Sequence, residues 1–242
     1  MLCITSAGRA GGHAHMGQEY IQDKTGAEVI LRRSPRARRM TLRVSTLDGR
    51  VTLTVPRRVA LPDAQAFVSE RSDWIAAAKA KVAPIRQVGI GSVIPIEGVD
   101  VEIIARKSGK PALKGGALLA PYRGTAPSVQ AFLKAIARER IVDQADACAA
   151  QIGTMYRRLS LRDTRSRWGS CSADGNLMLS WRLIMAPPDV LQYVVAHEVA
   201  HLREMNHSAS FWSVVETLFP DHSAQRKWLR QHGPALHSYR FD

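Results

Sequence analysis

The sequence has few cysteines and no long apolar run. Its 242 residues include three cysteines, Cys3, Cys148 and Cys171, and no two of them lie close together. A sparse and odd-numbered set argues against a secreted disulfide scaffold and predicts a reducing compartment, the cytoplasm. No stretch approaches the roughly 18–20 apolar residues that span a bilayer, and the N-terminus has no apolar block of signal-peptide length. We therefore expect neither a membrane protein nor a secreted one.

Acidic residues are few relative to basic ones, with 21 Asp and Glu against 34 Lys and Arg, and the formal charge is +13. A basic surface favours anionic partners such as nucleic acid or nucleotides, although such charge also serves solubility alone. One run of arginines contains no acidic residue; it comprises Arg32, Arg33, Arg36, Arg38, Arg39 and Arg43. It is either a nucleic-acid patch or the charge that protects an edge strand, and we favour the second interpretation.

The first half of the chain alternates apolar and polar residues in short runs. The alternation over residues 28–55, with a turn signal at Asp48-Gly49, predicts a β-meander. A helix of about twenty residues is expected from Pro62, and short strands are expected over residues 88–120. We divide the chain into a disordered tail (1–20), an N-terminal β-rich region with one long helix (21–125) and a C-terminal domain (126–242).

The second half has helical periodicity interrupted by a short β region. A long helix is predicted over residues 128–152, and strands over 158–166 and 177–181 are joined by a hairpin at Asp174-Gly175. Another helix starts at Pro187-Pro188-Asp189 and is expected to end near Met205-Asn206. Two further helices are predicted over residues 208–218 and 223–231.

The motif H-E-x-x-H occurs within the helix expected after Asp189, as His197, Glu198 and His201. Residues four apart lie one turn apart on the same helix face, so both imidazoles can bind one metal ion. Glu198 points about 100° away round the helix, where it can reach a water molecule on that metal. The flanking residues are apolar, and a buried glutamate between two histidines needs a partner. The motif therefore predicts a zinc site with Glu198 as the base.

A catalytic zinc has three protein ligands and one open position, and His207 is the leading candidate for the third ligand. In an unbroken helix His207 would lie about 240° round the axis from His201, facing away from the metal. We therefore expect the helix to end first, with Asn206 in the left-handed conformation that many helix ends use. Glu216 on the next helix and the thiol of Cys171 are the alternatives.

The segment from Arg165 to Ser172 combines arginines with small residues around Trp168-Gly169. Trp-Gly beside small polar residues indicates a bulge or a close backbone approach. We predict that this segment is a strand forming one wall of the metal cleft, with Arg165 and Arg167 near the path of the substrate. Its free edge would accept an extended substrate. Solvated arginines beside a core tryptophan are the alternative.

Four stretches of the sequence together resemble one family. They read R-x-R-W-G-S-C-S, D-G-N-L-x-L-S-W-R-L, P-P-x-V-L-x-Y-V-V-A-H-E-V-A-H-L and N-H-S-x-x-F-W, all within residues 165–212. This pattern closely resembles the YgjP-like metallopeptidase family, related to SprT-like zinc proteins, and extends more weakly into the N-terminal β region. The resemblance implies zinc held by His197, His201 and His207, with Glu198 as catalytic acid and base. One departure is Ser180, where the family commonly has Asn.

The expected fold is α+β, with an N-terminal β-rich region packed on a C-terminal zincin-like (minigluzincin-type) α/β domain that carries the HExxH helix. The expected function is a zinc-dependent metallopeptidase that acts on peptides or proteins through a zinc-bound water activated by Glu198. A zinc-dependent nucleotide pyrophosphatase or phosphohydrolase is the alternative, favoured by the basic charge and by Arg165 and Arg167. A non-catalytic nucleic-acid-associated zinc protein is the third hypothesis; no membrane partner is expected.

Overall fold

The computed structural model describes residues 19–242, which form mixed α and β structure and divide after Lys81 into two compact units. The predicted tail over residues 1–20 lies outside the described residues except for its last two, which begin the first strand. The sequence placed a domain boundary at residue 125, whereas residues 82–125 belong to the second unit. The reason is a shared core, because Ile94, Ile103 and Leu118 are buried in the same cluster as Leu133.

The first unit contains one four-stranded sheet with two helices. Its strands are β1 (Glu19–Gln22), β2 (Glu28–Ser34), β3 (Thr41–Val44) and β4 (Val51–Pro56). Their order is β1-β2-β4-β3, and β2 runs parallel to β4, so the predicted meander is wrong. Val51, Leu53 and Val55 of β4 are at most 1% exposed and need a neighbouring strand on either side. β3, with Arg43 exposed, takes the edge, where charge opposes aggregation.

The helical segment of the first unit is two helices rather than the single one expected. Helix α1 (Leu61–Glu70) and helix α2 (Ser72–Ala80) are separated at Arg71. The Ser72 hydroxyl donates to the Ser69 carbonyl at 2.9 Å, a local bond that competes with the helix ladder. After this break Ile75 packs into the core, whereas the Trp74 side chain is 49% exposed.

The second unit begins with five short strands and a long helix. The strands are β5 (Arg86–Gln87), β6 (Val93–Ile96), β7 (Val99–Arg106), β8 (Ala112–Lys114) and β9 (Ala117–Pro121), and the last four form a sheet in the order β6-β7-β9-β8. Helix α3 (Thr125–Gln151) follows, and its buried stripe recurs every three or four residues. It starts three residues earlier than predicted, directly after Gly124, which adopts a φ of 66°. Gly153 ends it with a φ of 62°.

A three-stranded sheet follows α3. It consists of β10 (Arg158–Arg162), β11 (Gly169–Cys171) and β12 (Asn176–Ser180), with β12 in the middle. The hairpin at Asp174-Gly175 therefore joins β11 to β12, and the strand predicted to continue to Ser166 stops at Arg162. It stops because Asp163 turns away to accept two hydrogen bonds, at 2.6 and 3.0 Å, from the buried guanidinium of Arg182.

The rest of the unit is helical. A 3₁₀ helix (Trp181–Met185), α4 (Pro188–Ala200), α5 (Ala209–Leu218) and α6 (Ser223–Leu236) precede the short strand β13 (Tyr239–Arg240), which pairs with β5. Nine of the thirteen residues of α4 are buried, so this helix lies in the core of the unit. It ends about five residues before the predicted position. No helix among residues 19–242 is both long and apolar enough to cross a membrane.

Candidate metal centre

Three histidines converge at the C-terminal end of α4. His197 lies in the last turn of the helix, His201 directly follows its last residue, and His207 lies in the loop before α5. Each offers a ring nitrogen, and these three atoms all lie within 4.8 Å of one another. The ring centroids form a triangle with sides of 5.2, 5.2 and 4.8 Å. The structure thus brings together the three residues that the sequence analysis selected.

The early end of α4 is what returns His207 to the other two histidines. After Ala200 the chain turns tightly, and the amides of Arg203 and Glu204 both donate to the Ala200 carbonyl at 3.1 Å. The expectation that Asn206 is left-handed was wrong, since Glu97 and Asp221 are the only non-glycine residues with positive φ in the described chain. Instead, the Asn206 side chain accepts a bond of 3.1 Å from the Ser208 amide and directs the chain into α5.

The three imidazoles suit a tetrahedral metal ion. The Nε2 atoms of His197 and His207 are 3.2 Å apart, and two nitrogen ligands at 2.0–2.1 Å from a tetrahedral zinc ion would be separated by about 3.3 Å. Nδ1 of His201 lies 2.9 Å from the Glu204 carbonyl, which can only accept, so this nitrogen carries the proton. Its Nε2 is therefore left with the lone pair that a metal needs. The donor set thus fits a divalent metal such as zinc.

Burial favours the neutral, metal-binding form of His197 and His201. Burial, followed by the charges of His201 and His207, lowers the pKa of His197 to about 4. Burial also lowers the pKa of His201. Metal binding requires deprotonated imidazole, so little proton release is needed at neutral pH.

The Phe211 ring of α5 packs against all three imidazoles. The sequence analysis did not predict this role. The Phe211 ring centroid lies 4.9 Å from that of His197, 4.4 Å from His201 and 4.7 Å from His207. Phe211 is fully buried and therefore fixes the orientation of all three rings. It lies in the N-H-S-x-x-F-W stretch, but phenylalanine has no hydrogen-bond donor or acceptor. The motif alone therefore does not indicate a role for Phe211 at a metal site.

The Glu198 side chain packs against Gly169 of β11 and is 7% exposed. Burial raises the pKa of its carboxyl to about 7, an effect partly opposed by the charge of Arg167. A Cβ atom placed on Gly169 would lie only 2.5 Å from Cγ of Glu198. The close backbone approach expected at Trp168-Gly169 is thus a contact with this glutamate, and β11 lies beside the metal centre.

The two arginines predicted near the substrate path act on different titratable groups. Both lie in the loop between β10 and β11 and are exposed, so the predicted strand over 165–172 is reduced to β11. The charge of Arg167 acts on Glu198, whereas that of Arg165 acts on His237 near the C-terminus. Arg167 is therefore the arginine of this loop whose charge reaches the metal centre.

Neither alternative third ligand belongs to the histidine group found in the described residues. Burial raises the pKa of the Cys171 thiol to about 11, which disfavours the thiolate that binds metals. The Glu216 carboxylate lies 3.3 Å from Nδ1 of His222.

The chain also matches known proteins. The family model described as YgjP-like, metallopeptidase domain, matches residues 38–232. The solved structure of the metallopeptidase zymogen of Pyrococcus abyssi abylysin is 24% identical, with a TM-score of 0.34, and the match covers 38% of this chain and 92% of that chain. No curated protein matches. Because the family model spans more than half of the chain, this protein belongs to the YgjP-like family of metallopeptidases, hydrolases that depend on a divalent metal.

Proposed function

We propose that this protein is a zinc-dependent peptidase whose metal is held by His197, His201 and His207. The observation that carries the proposal is the convergence of three imidazoles at one end of α4, with the buried carboxylate of Glu198 on the same helix, directly after His197. Family membership supports the peptidase assignment. A zincin-like fold of the minigluzincin type for the C-terminal part of the chain belongs to the same proposal.

The roles of the residues follow from their positions. His197, His201 and His207 would hold the zinc ion, which would supply Lewis acidity for the scissile carbonyl and for water. Glu198 is the base that takes the proton from the attacking water and passes it to the leaving amine. Gly169 and β11 confine its side chain to one side of α4. Phe211 holds the three imidazoles in position and excludes water from the side of the rings on which it packs.

Strand β11 supplies a surface for an extended peptide. It lies at the edge of its three-stranded sheet and pairs only with β12 among the described residues. A peptide in extended conformation can add to such an edge through main-chain hydrogen bonds. Gly169 is the first residue of β11 and touches Glu198, so a peptide on this edge would pass beside the base. This arrangement favours a peptide or protein as the substrate.

A second candidate is a zinc-dependent phosphohydrolase that acts on nucleotides. The observation in its favour is the charge of Arg167, which acts on the Glu198 carboxylate and would equally attract a phosphate placed there. The formal charge of +13 over the whole chain also favours an anionic substrate such as a nucleotide. This activity would use the same three histidines and the same base.

The experiment that separates these functions is a substrate panel on zinc-loaded protein. Peptides, a denatured protein and nucleoside triphosphates are compared for the parent, Glu198→Gln and the control Glu102→Gln, an exposed glutamate on β7. We expect peptide hydrolysis that falls about 10²–10⁴-fold in Glu198→Gln, with zinc retained and the control unchanged. Hydrolysis of triphosphates alone would select the second candidate. Parent-like turnover by Glu198→Gln would refute both.

A further inference from the structure

The first compact unit concentrates positive charge. Between Val29 and Pro62 the chain has nine arginines and a single acidic residue, Asp48, which gives a formal charge of +8 over this stretch. All nine arginines are exposed. Arg33 is held by Glu19 at 3.3 Å and by two backbone carbonyls, so it is engaged within the fold. The remaining arginines have no comparable set of partners in the described chain.

The strand register gathers most of these arginines at one end of the sheet. Because β2 is parallel to β4, Arg32 lies opposite Thr54, and both strands end on the same side. β3 is antiparallel to β4 and starts there, with Thr41 also opposite Thr54. We define the arginine end as the six arginines that this register collects: Arg32, Arg36, Arg38, Arg39, Arg57 and Arg58. Six exposed guanidinium groups together attract a polyanion far more strongly than any one of them.

A groove of about 350 Å³ adjoins the arginine end. It runs between the edge strand β3 and helices α1 and α2, and Arg39 belongs both to the groove and to the arginine end. Its lining combines two arginines with two aromatic rings and apolar side chains: Arg39, Met40, Leu42, Phe67, Arg71 and Trp74. The guanidinium of Arg71 lies 4.6 Å from the centre of the Phe67 ring. The groove therefore offers flat apolar faces and positive charge at the same place.

Trp74 is the feature that the fold of this unit leaves unexplained. It is 49% exposed, although a tryptophan is large enough to contribute strongly to a core. After the break at Arg71, Ile75 is the apolar residue of α2 that packs into the core, and the indole of Trp74 lies in the groove. An exposed aromatic ring beside arginines is the arrangement on which unpaired bases stack.

We propose that this groove and the arginine end bind single-stranded nucleic acid, independently of the metal centre. A base stacks on Trp74, Arg39 and Arg71 hold the adjacent phosphates, and the arginine end receives the continuing backbone. A duplex hides its base faces and cannot use the indole. A membrane would need aromatic residues that protrude, whereas Trp74 lines a groove together with two arginines. Stacking and phosphate contacts apply equally to RNA and DNA.

The test is fluorescence anisotropy on the full chain. Labelled oligo-dT and oligo-U of about 20 nucleotides are compared with a duplex of the same length at about 50 and about 200 mM salt. Vesicles rich in anionic phospholipid serve as competitor. We expect both single strands to bind more tightly than the duplex, with affinity falling steeply as salt rises. Equal or tighter binding of the duplex, or complete displacement by the vesicles, would overturn the proposal.

Variants separate stacking from general charge. Trp74→Leu should weaken single-strand binding about tenfold or more, whereas Trp74→Phe, which keeps an aromatic face, should retain most of it. Arg39→Gln/Arg71→Gln should reduce the salt slope by about 1.4, at about 0.7 per phosphate contact. The control Arg123→Gln/Arg138→Gln removes two exposed charges from the second unit and should leave the slope unchanged. Equal losses in the control and the groove variants, or unchanged binding by Trp74→Leu, would contradict the proposal, and circular dichroism verifies the fold of each variant.

Discussion

Gly169 determines where the Glu198 carboxylate lies. Any larger residue would place its Cβ 2.5 Å from Cγ and 2.6 Å from Oε1 of that glutamate, so the acid would have to move. Since a displacement of about 1 Å can reduce catalysis about 100-fold, we expect Gly169→Ala to lose activity on that order. Zinc content should stay at the parent level, because the three atoms nearest to the added Cβ all belong to Glu198 and none belongs to a histidine.

A matched control for this substitution is Gly89→Ala. A Cβ on Gly89 would meet no atom within 4 Å, and the residue does not adopt positive φ. Gly89→Ala should therefore keep full activity in the same hydrolysis assay. Full activity in Gly169→Ala would show that the contact with Glu198 has no part in positioning the base.

His207 should contribute to metal binding as strongly as the two helix histidines. Its Nε2 atom is 3.2 Å from that of His197, and replacing it by Ala leaves two protein ligands for a metal that prefers at least three. We expect His207→Ala to be recovered with far less than one zinc per chain by elemental analysis. The control His232→Ala removes a histidine stacked on Trp228 and should keep full zinc. Full zinc in His207→Ala would reassign the third ligand.

Periodicity in the sequence was sufficient to locate the long helix α3, but not to locate the break between α1 and α2 or the end of α4. The apolar stripe that predicts α3 comprises Phe132, Leu133, Ile136, Ile141 and Val142, and the structure buries Leu133 and Ile141 of it. The break at Arg71 and the end of α4 at Ala200 depend on hydrogen bonds to Ser69 and to the Ala200 carbonyl. Such bonds compete with the helix by small free energies that a residue pattern does not reveal.

The metal ligands of the candidate site could be predicted from the sequence, whereas the residues that pack around them could not. His197 and His201 follow from the spacing in a helix, and the spacing required the helix to end before His207 could join them. The contacts of Phe211 and Gly169 arise from packing between separate elements, α4, α5 and β11, which no single periodic pattern covers. The order of the first sheet also depends on distant pairing, because β4 inserts between β2 and β3.

The segment after α6 should make stability depend on pH. His237 is 5% exposed, and burial, followed by the charge of Arg182, lowers its pKa to about 4; Arg165 and Arg240 act in the same direction, and Asp163 opposes them. Well above pH 6.5 the imidazole is neutral in both the folded and the unfolded chain. Between pH 6.5 and 4 the unfolded chain takes up a proton that the folded chain excludes, so stability falls as the pH falls.

The size of this effect is measurable by urea unfolding. A pKa of about 4 against 6.5 corresponds to a loss of about 3 kcal/mol between the two pH values. His237→Gln cannot take up the proton and should lose about that much less than the parent. Measurements in the presence of a chelator keep metal release out of the comparison, and His232→Gln should behave like the parent. Parallel pH profiles for His237→Gln and the parent would show that His237 does not titrate in this way.

At the scale of the whole molecule, the two compact units have separate cores. The buried cluster of the first unit contains Val29, Leu53 and Ile75, and that of the second contains Leu133, Trp181 and Phe211, with no buried residue in common among residues 19–242. The three histidines, Glu198 and Gly169 all lie after Lys81. We therefore expect a fragment of residues 82–242 to fold and to bind one zinc ion per chain.

This expectation is tested by expressing the fragment and measuring its zinc content and its circular dichroism. The proposed nucleic-acid groove lies wholly in the first unit, so the same fragment should lose the preference for single strands. A fragment that is unfolded, or folded without zinc, would mean that the first unit is required to form the metal centre.

The burial of α4 restricts how this protein can diverge. The helix that carries His197 and Glu198 also has most of its surface in the core, so nearly every change in it affects chemistry and stability together. Mutations that survive selection should therefore accumulate elsewhere, on exposed positions such as the loop containing Arg165 and Arg167. Natural relatives that differ in substrate should then share the helix and differ in that loop, and a directed-evolution library aimed at new substrates would be better placed there than on α4.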